Sequence, residues 1–168
     1  MNPCLTPSDD GHAWARFLKR DAKNYIDQYD DLEKALLFTE VALALDPTDV
    51  QAVTNKGTIK AKEAARQLGE GNLWAALGPE GLIVEAVGLF DRAMRMNHGY
   101  EVAQRHFRAT LRWTGEAWTI LQGYDQAVEM YRHLVAIDPT DNESKGELYA
   151  LLFTQQNIKQ SELRSKRE

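Results

Sequence analysis

Arg105, Arg108 and Arg112 recur at spacings of three and four, which puts three guanidiniums on one face of a helix. Residues 91 to 112 hold only Asp91 and Glu101 against Arg92, Arg95 and those three. Such a stripe can grip carboxylates by charge-assisted, two-pronged hydrogen bonds, or it can be a solvated face. Other side chains offer less. His12, His98, His106 and His133 fall in no metal-ligand spacing, and neither H-E-x-x-H nor C-x-x-C occurs, so no metal is expected. Glu129 and His133, one turn apart, read as a surface pair. The glycines of LGEGNLWAALGPEG lack the Lys-Ser/Thr that a phosphate loop needs, so no nucleotide or other cofactor is expected. No Ser, His and acid set has a triad signature. The chain reads as non-enzymatic, with no catalytic residues.

The bulk properties restrict partners further. A length of 168 residues with 43% hydrophobic content predicts one domain with a real core. A net charge of −5 argues against a dedicated nucleic-acid binder, which needs a basic face. The single cysteine, Cys4, has no disulfide partner within the chain, and no signal-peptide pattern is apparent, which favours a reducing, cytoplasmic setting. No window reads as approaching the roughly twenty apolar residues of a membrane span. No membrane insertion is expected.

The elements that must position the arginines are helices. Sustained period-two alternation is missing, while Ala, Leu, Glu, Lys, Gln and Arg fill long stretches. After a flexible N-terminus over 1–11, helices are predicted from about His12 to Gln28, Asp31 to Leu45, Asp49 to Leu68, Pro79 to Met96, Tyr100 to Leu121, Tyr124 to Ile137, and 141 to 160. That makes about seven in one domain over 12–160, with an insertion at about 69–81 and a charged tail at 161–168. The phrase DPTDVQ at 46–51 returns as DPTDNE at 138–143. In each, Asp-Pro stops a helix, and Thr48 or Thr140 followed three residues later by Gln51 or Glu143 reads as a capping box. Trp113 and Trp118 read as core. Trp74 lies with Leu73 and Leu77 in the insertion, where packing on its own chain is favoured over covering a partner surface.

Counted back from Pro47, His98 and Pro139, the segments DLEKALLFTEVALALDP, LIVEAVGLFDRAMRMNH and YDQAVEMYRHLVAIDP share small residues twelve and five positions before the end, except that Leu134 stands at the last of these. Phe90 and Tyr131 stand eight before, with Thr39 at that place in the first segment. These segments resemble the second helix of the tetratricopeptide (TPR) repeat, and Gly57 and Gly115 match its small residue on the first helix. Family repeats run 34 residues, whereas Pro47 to His98 is 51 and His98 to Pro139 is 41. The resemblance implies a right-handed α-helical solenoid of three hairpins, closed by a capping helix. In that helix Glu143, Lys145, Glu147, Gln155 and Gln156 would face outward and Leu148, Leu151, Leu152 and Ile158 inward.

It also implies a protein-interaction module that takes a peptide or protein segment in the groove lined by the first helices. TPR domains that hold acidic chaperone tails use a carboxylate clamp, and Arg20, Asn24 and Asn55 match its positions on the first and third helices. The fifth helix departs, with Val102 and His106 at the matching places and Arg105 beside them. The candidate peptide-binding set is therefore Arg20, Asn24, Asn55, Arg105, Arg108 and Arg112, with an acidic C-terminus as the ligand. The rival readings are a bacterial three-repeat secretion chaperone holding an apolar segment, and a self-associating module using the insertion.

Overall fold

The computed structural model describes residues 7–166, with side chains from Ala13 onward. Among the described residues it is all-α, with seven long helices and one short one: α1 Pro7–Asn24, α2 Leu32–Leu45, α3 Val50–Gly69, α4 Leu73–Leu77, α5 Leu82–Met96, α6 Glu101–Ile120, α7 Tyr124–Ile137 and α8 Asn142–Ser165. Helix α1 thus starts ahead of His12, and α8 runs beyond residue 160. The helices gather into two compact units, Met1–Phe107 and Arg108–Glu168, where the length suggested one. The division falls within α6.

In unit 1, α1 packs on α2, α2 on α3, and α3 on α5. The end of α1 passes into a π-helical turn, Tyr25–Tyr29, closed by Asp30 in the left-handed region at φ 51°. The ammonium of Lys62 on α3 donates to the Ile26 carbonyl at 2.7 Å and to Asp30 at 3.1 Å, satisfying a carbonyl that the helix end leaves open. Asp31 then caps α2 by accepting from the Lys34 N–H at 3.1 Å. One core cluster joins Ile26, Ala35 and Ile59, and a second joins Val53, Ala93 and Ala103 with Leu43, Leu89 and Met94 at its edge.

Within the second hairpin (α3 and α5) and within the third (α6 and α7), the two helices cross at one glycine and one ring. A Cβ on Gly57 would lie 2.8 Å from Phe90 Cε1, and a Cβ on Gly115 would lie 2.8 Å from Tyr131 Cε2. Phe90 and Tyr131 are both buried, so each ring occupies the space its glycine leaves. Thr39 is also fully buried, yet its hydroxyl has no hydrogen-bond partner among the described residues. Removing an unsatisfied hydroxyl at nearly constant volume recovers desolvation, so Thr39→Val should stabilise unit 1 by about 1 kcal/mol. A lower urea midpoint for the variant would contradict this.

The DPTD phrase works differently from a threonine capping box. Asp46 accepts from both the N–H and the hydroxyl of Thr48, at 3.0 and 2.7 Å, and Asp138 does the same for Thr140, at 3.0 and 2.6 Å. The helix caps are the second aspartates: Asp49 accepts from the Ala52 N–H at 2.9 Å and Asp141 from the Ser144 N–H at 3.0 Å. A carboxylate at a helix N-terminus gains from the helix dipole as well as from the hydrogen bond, so Asp takes the cap and Thr closes the turn before it. Each capping aspartate also pairs with a cation of an earlier helix, Asp49 with Lys19 of α1 and Asp141 with Arg112 of α6.

Three further expectations need correction. Helix α5 starts at Leu82 rather than Pro79, because Gly78 to Gly81 form a tight turn in which the Gly81 N–H reaches the Gly78 carbonyl at 2.8 Å. The stretch Leu73–Met96 does reach membrane-span length at a mean hydropathy of 1.4, but that same turn breaks it into α4 and α5, and Ala86, Phe90 and Ala93 are spent on the core of unit 1. In unit 2, where α7 packs on α8, Leu151 is buried and Leu148 and Leu152 are half-buried, whereas Ile158 is exposed, lying on the part of α8 beyond the span of the fourteen-residue α7.

Candidate functional site

Unit 1 contains a cavity of about 240 Å³ where the end of α1, the face of α3 and the start of α6 converge. Its polar lining is Lys23, Asp27, Gln51, Thr54, Asn55, Thr58, Tyr100, Arg105 and His106, with Ile26 and Val102 as the apolar part. Two cations face one acid. Lys23 pairs with Asp27 one turn away, while Arg105 is exposed and makes no ion pair among the described residues. Asn55 is only 7% exposed, and its side-chain amide donates to the Lys19 carbonyl at 3.1 Å, tying α3 to α1. His106 stacks on Phe90 with ring centroids 6.2 Å apart, and its Nδ1 lies 3.4 Å from the Thr58 hydroxyl. Burial, followed by the Arg105 charge, holds its pKa below the ordinary 6.5, so the ring is neutral at pH 7.

Of the sequence-derived set, this cavity brings together Asn55 and Arg105. Arg20 and Asn24 do not line it. The guanidinium of Arg20 lies over the Phe17 ring at 5.3 Å, with Asp21 3.7 Å away. The α1 face that meets α3 runs through Lys19 and Lys23, one position before Arg20 and Asn24, and a single residue turns a helix by roughly 100°. Val102 and His106, which stand at the clamp's places on the fifth helix, do line the cavity, whereas Lys23 and Tyr100 are lining residues that the motif match passed over. The i, i+4 pair Lys23 and Asp27, next to the tyrosines Tyr25 and Tyr29, was the available signal for Lys23.

Arg108 and Arg112 belong to unit 2, and their charges are already matched there. Arg108 bonds Asp138 at 3.2 Å. Arg112 bonds Asp141 at 2.8 Å, contacts Ser144 at 3.4 Å and pairs with Glu143. The stripe read as a basic face is therefore largely an internal ion-pair ladder onto the second DPTD turn. Trp74 of α4 is 78% exposed, against the expectation that it packs on its own chain. The reason lies at Gly78, where a Cβ would sit 3.2 Å from the indole: the glycine seats one part of the ring, and five residues of helix offer nothing to cover the rest.

By sequence, neither a family profile nor a curated protein matches the chain. By structure, the Arabidopsis OM64 TPR domain is similar, with a TM-score of 0.51 at 14% identity, covering 86% of this chain and 98% of that domain. That likeness shows the fold. The protein is an all-α, TPR-like helical-repeat structure, as the three hairpin segments implied.

Proposed function

We propose that the chain is a non-catalytic protein-interaction module, working in a cytoplasmic setting, that holds a peptide segment with an acidic C-terminus in the unit 1 cavity. The observation that carries this reading is the convergence of α1, α3 and α6, the first helices of the hairpins, on one cavity with Lys23, Asn55 and Arg105 in its lining. Arg105 can meet a carboxylate two-pronged, and Lys23 can exchange Asp27 for the ligand. The neutral His106 and the Tyr100 ring bound a less polar flank for the preceding side chain. Exposed ion pairs of this kind are screened over about 8 Å at physiological ionic strength, so binding should weaken with salt.

Titration calorimetry with a decapeptide ending in two acidic residues tests the reading. Arg105→Ala and amidation of the peptide should each weaken binding about tenfold, the worth of one charge-assisted hydrogen-bond pair. Arg112→Ala should leave it within about twofold, since that guanidinium is already held by Asp141 and Glu143. Affinity that ignores both amidation and Arg105→Ala would remove the acidic terminus from the proposal.

A further inference from the structure

Unit 2 carries a second cavity, of about 340 Å³, of opposite character. Glu116 of α6 and Glu143 and Glu147 of α8 line it against a single cation, Arg112, whose guanidinium is spent on Asp141 and Glu143. An acidic cluster alone is commonplace. What distinguishes this one is Tyr131, which also lines the cavity. It is only 3% exposed, and its hydroxyl makes no hydrogen bond to any described residue, although it is not sealed off as the Thr39 hydroxyl is. A buried phenol normally finds a partner for its hydroxyl. Here the ring packs closely against Gly115. Its pKa is pushed up to about 12, by burial first and then by Glu147 and Glu116, which places the oxygen in the field of the same carboxylates that line the cavity. At the edge stands Ile120, 81% exposed, an apolar surface beside an acidic pocket.

We propose that this cavity is a binding site for a cationic side chain, lysine or arginine, of a protein segment. The ammonium or guanidinium would sit between Glu116 and Glu147 and donate to the Tyr131 oxygen, while the methylene stem would lie along Ile120. Charge complementarity selects the cation, the Tyr131 hydroxyl, which has no partner among the described residues, supplies a directed acceptor, and the exposed aliphatic edge accounts for a long stem rather than a bare ion. The site lies wholly in unit 2 and goes beyond the acidic-terminus reading, which rests on unit 1 residues. Either can fail without the other.

The test is an NMR titration of the full chain with N-acetyl-lysine methylamide, using the Ile120 methyl signals as the readout and the uncharged N-acetyl-norleucine methylamide as control. The lysine probe should saturate with a Kd of about 1 to 10 mM, and the norleucine probe should give no saturable shift. Glu116→Gln combined with Glu147→Gln should weaken the lysine probe about tenfold. Glu129→Gln, an exposed acid of α7 outside the cavity, should leave it unchanged. Tyr131→Phe removes a hydroxyl with no internal partner, so it should keep the thermal midpoint while weakening the probe about fivefold. Equal response to norleucine, unaltered lysine binding in the double glutamine and phenylalanine variants, or no saturation by about 100 mM would overturn the assignment.

Discussion

Gly57→Val should unfold unit 1 at temperatures where the parent chain is folded, with a loss of about 3 kcal/mol or more. A Cβ at this position would lie 2.8, 3.0 and 3.1 Å from three atoms of the Phe90 ring. That ring is fully buried, stacks on His106 and sits 6.4 Å from the Phe107 ring, so it has no space to retreat into. Alanine is the informative intermediate. It gains about 1 kcal/mol of helix propensity over glycine and loses about 1 to 3 kcal/mol to overpacking, which leaves a net loss of about 0 to 2 kcal/mol. Valine keeps only part of the propensity gain and adds two methyl groups to the clash. In a unit of this size each kcal/mol moves the thermal midpoint by about 4 to 8 °C. Gly88 of α5 provides the control, because a Cβ there meets nothing within 4 Å, and Gly88→Ala should therefore stabilise by about 0.5 to 1 kcal/mol. Thermal melts followed by circular dichroism decide the matter. Equal destabilisation at both glycines would mean that the Gly57 and Phe90 contact is not what the site requires.

The same contact explains why the fold was legible. A glycine in a helix is unfavourable in isolation, so its presence at Gly57 and Gly115, each with an aromatic residue in the following hairpin partner, marks a close crossing. Those crossings are present in the structure. The first hairpin shows what the pattern does not carry: Thr39 takes the place of the ring, and a π-helical turn precedes it. Such a turn adds a residue without any distinctive composition, so the face of α1 cannot be indexed from spacing. Arg20 and Asn24 match the clamp by residue type and spacing, whereas Lys23, one position before Asn24, is the residue that lines the cavity.

The arginine stripe was legible as a stripe but not in its use. Spacing along one helix says which guanidiniums share a face; it does not say which acids arrive opposite them. The acids that meet Arg108 and Arg112 are Asp138, Asp141 and Glu143, about thirty residues downstream and belonging to the repeated phrase itself. One motif therefore serves twice, ending and starting helices along the chain and neutralising the first helix of the preceding hairpin. Lys19 with Asp49 repeats the arrangement in unit 1.

Asp141→Ala should consequently cost unit 2 about 2 kcal/mol, roughly 1 for the lost cap and the rest for the half-buried Arg112 left with one partner fewer. Thr140→Ala should cost about 0.5 kcal/mol or less, since it gives up one exposed turn hydrogen bond. This ordering reverses what a threonine capping box implies. Asp141→Asn divides the effect, because an asparagine oxygen can still accept from the Ser144 N–H but carries no charge for Arg112. The two terms also separate by pH. The Asp141 carboxyl is held below its ordinary 3.8, by the Ser144 backbone hydrogen bond first and its hydroxyl next, with Arg112 adding to both. A carboxylate with a depressed folded-state pKa contributes stability that is complete above its unfolded value and is lost as pH falls through the folded one. The parent chain should therefore exceed Asp141→Asn in stability at pH 7 and lose that advantage progressively below about pH 4. Urea unfolding of unit 2, followed by Trp113 and Trp118 fluorescence at pH 7 and pH 3, measures the difference directly. A stability gap that stays constant between those pH values would show that the Asp141 charge contributes nothing beyond the cap.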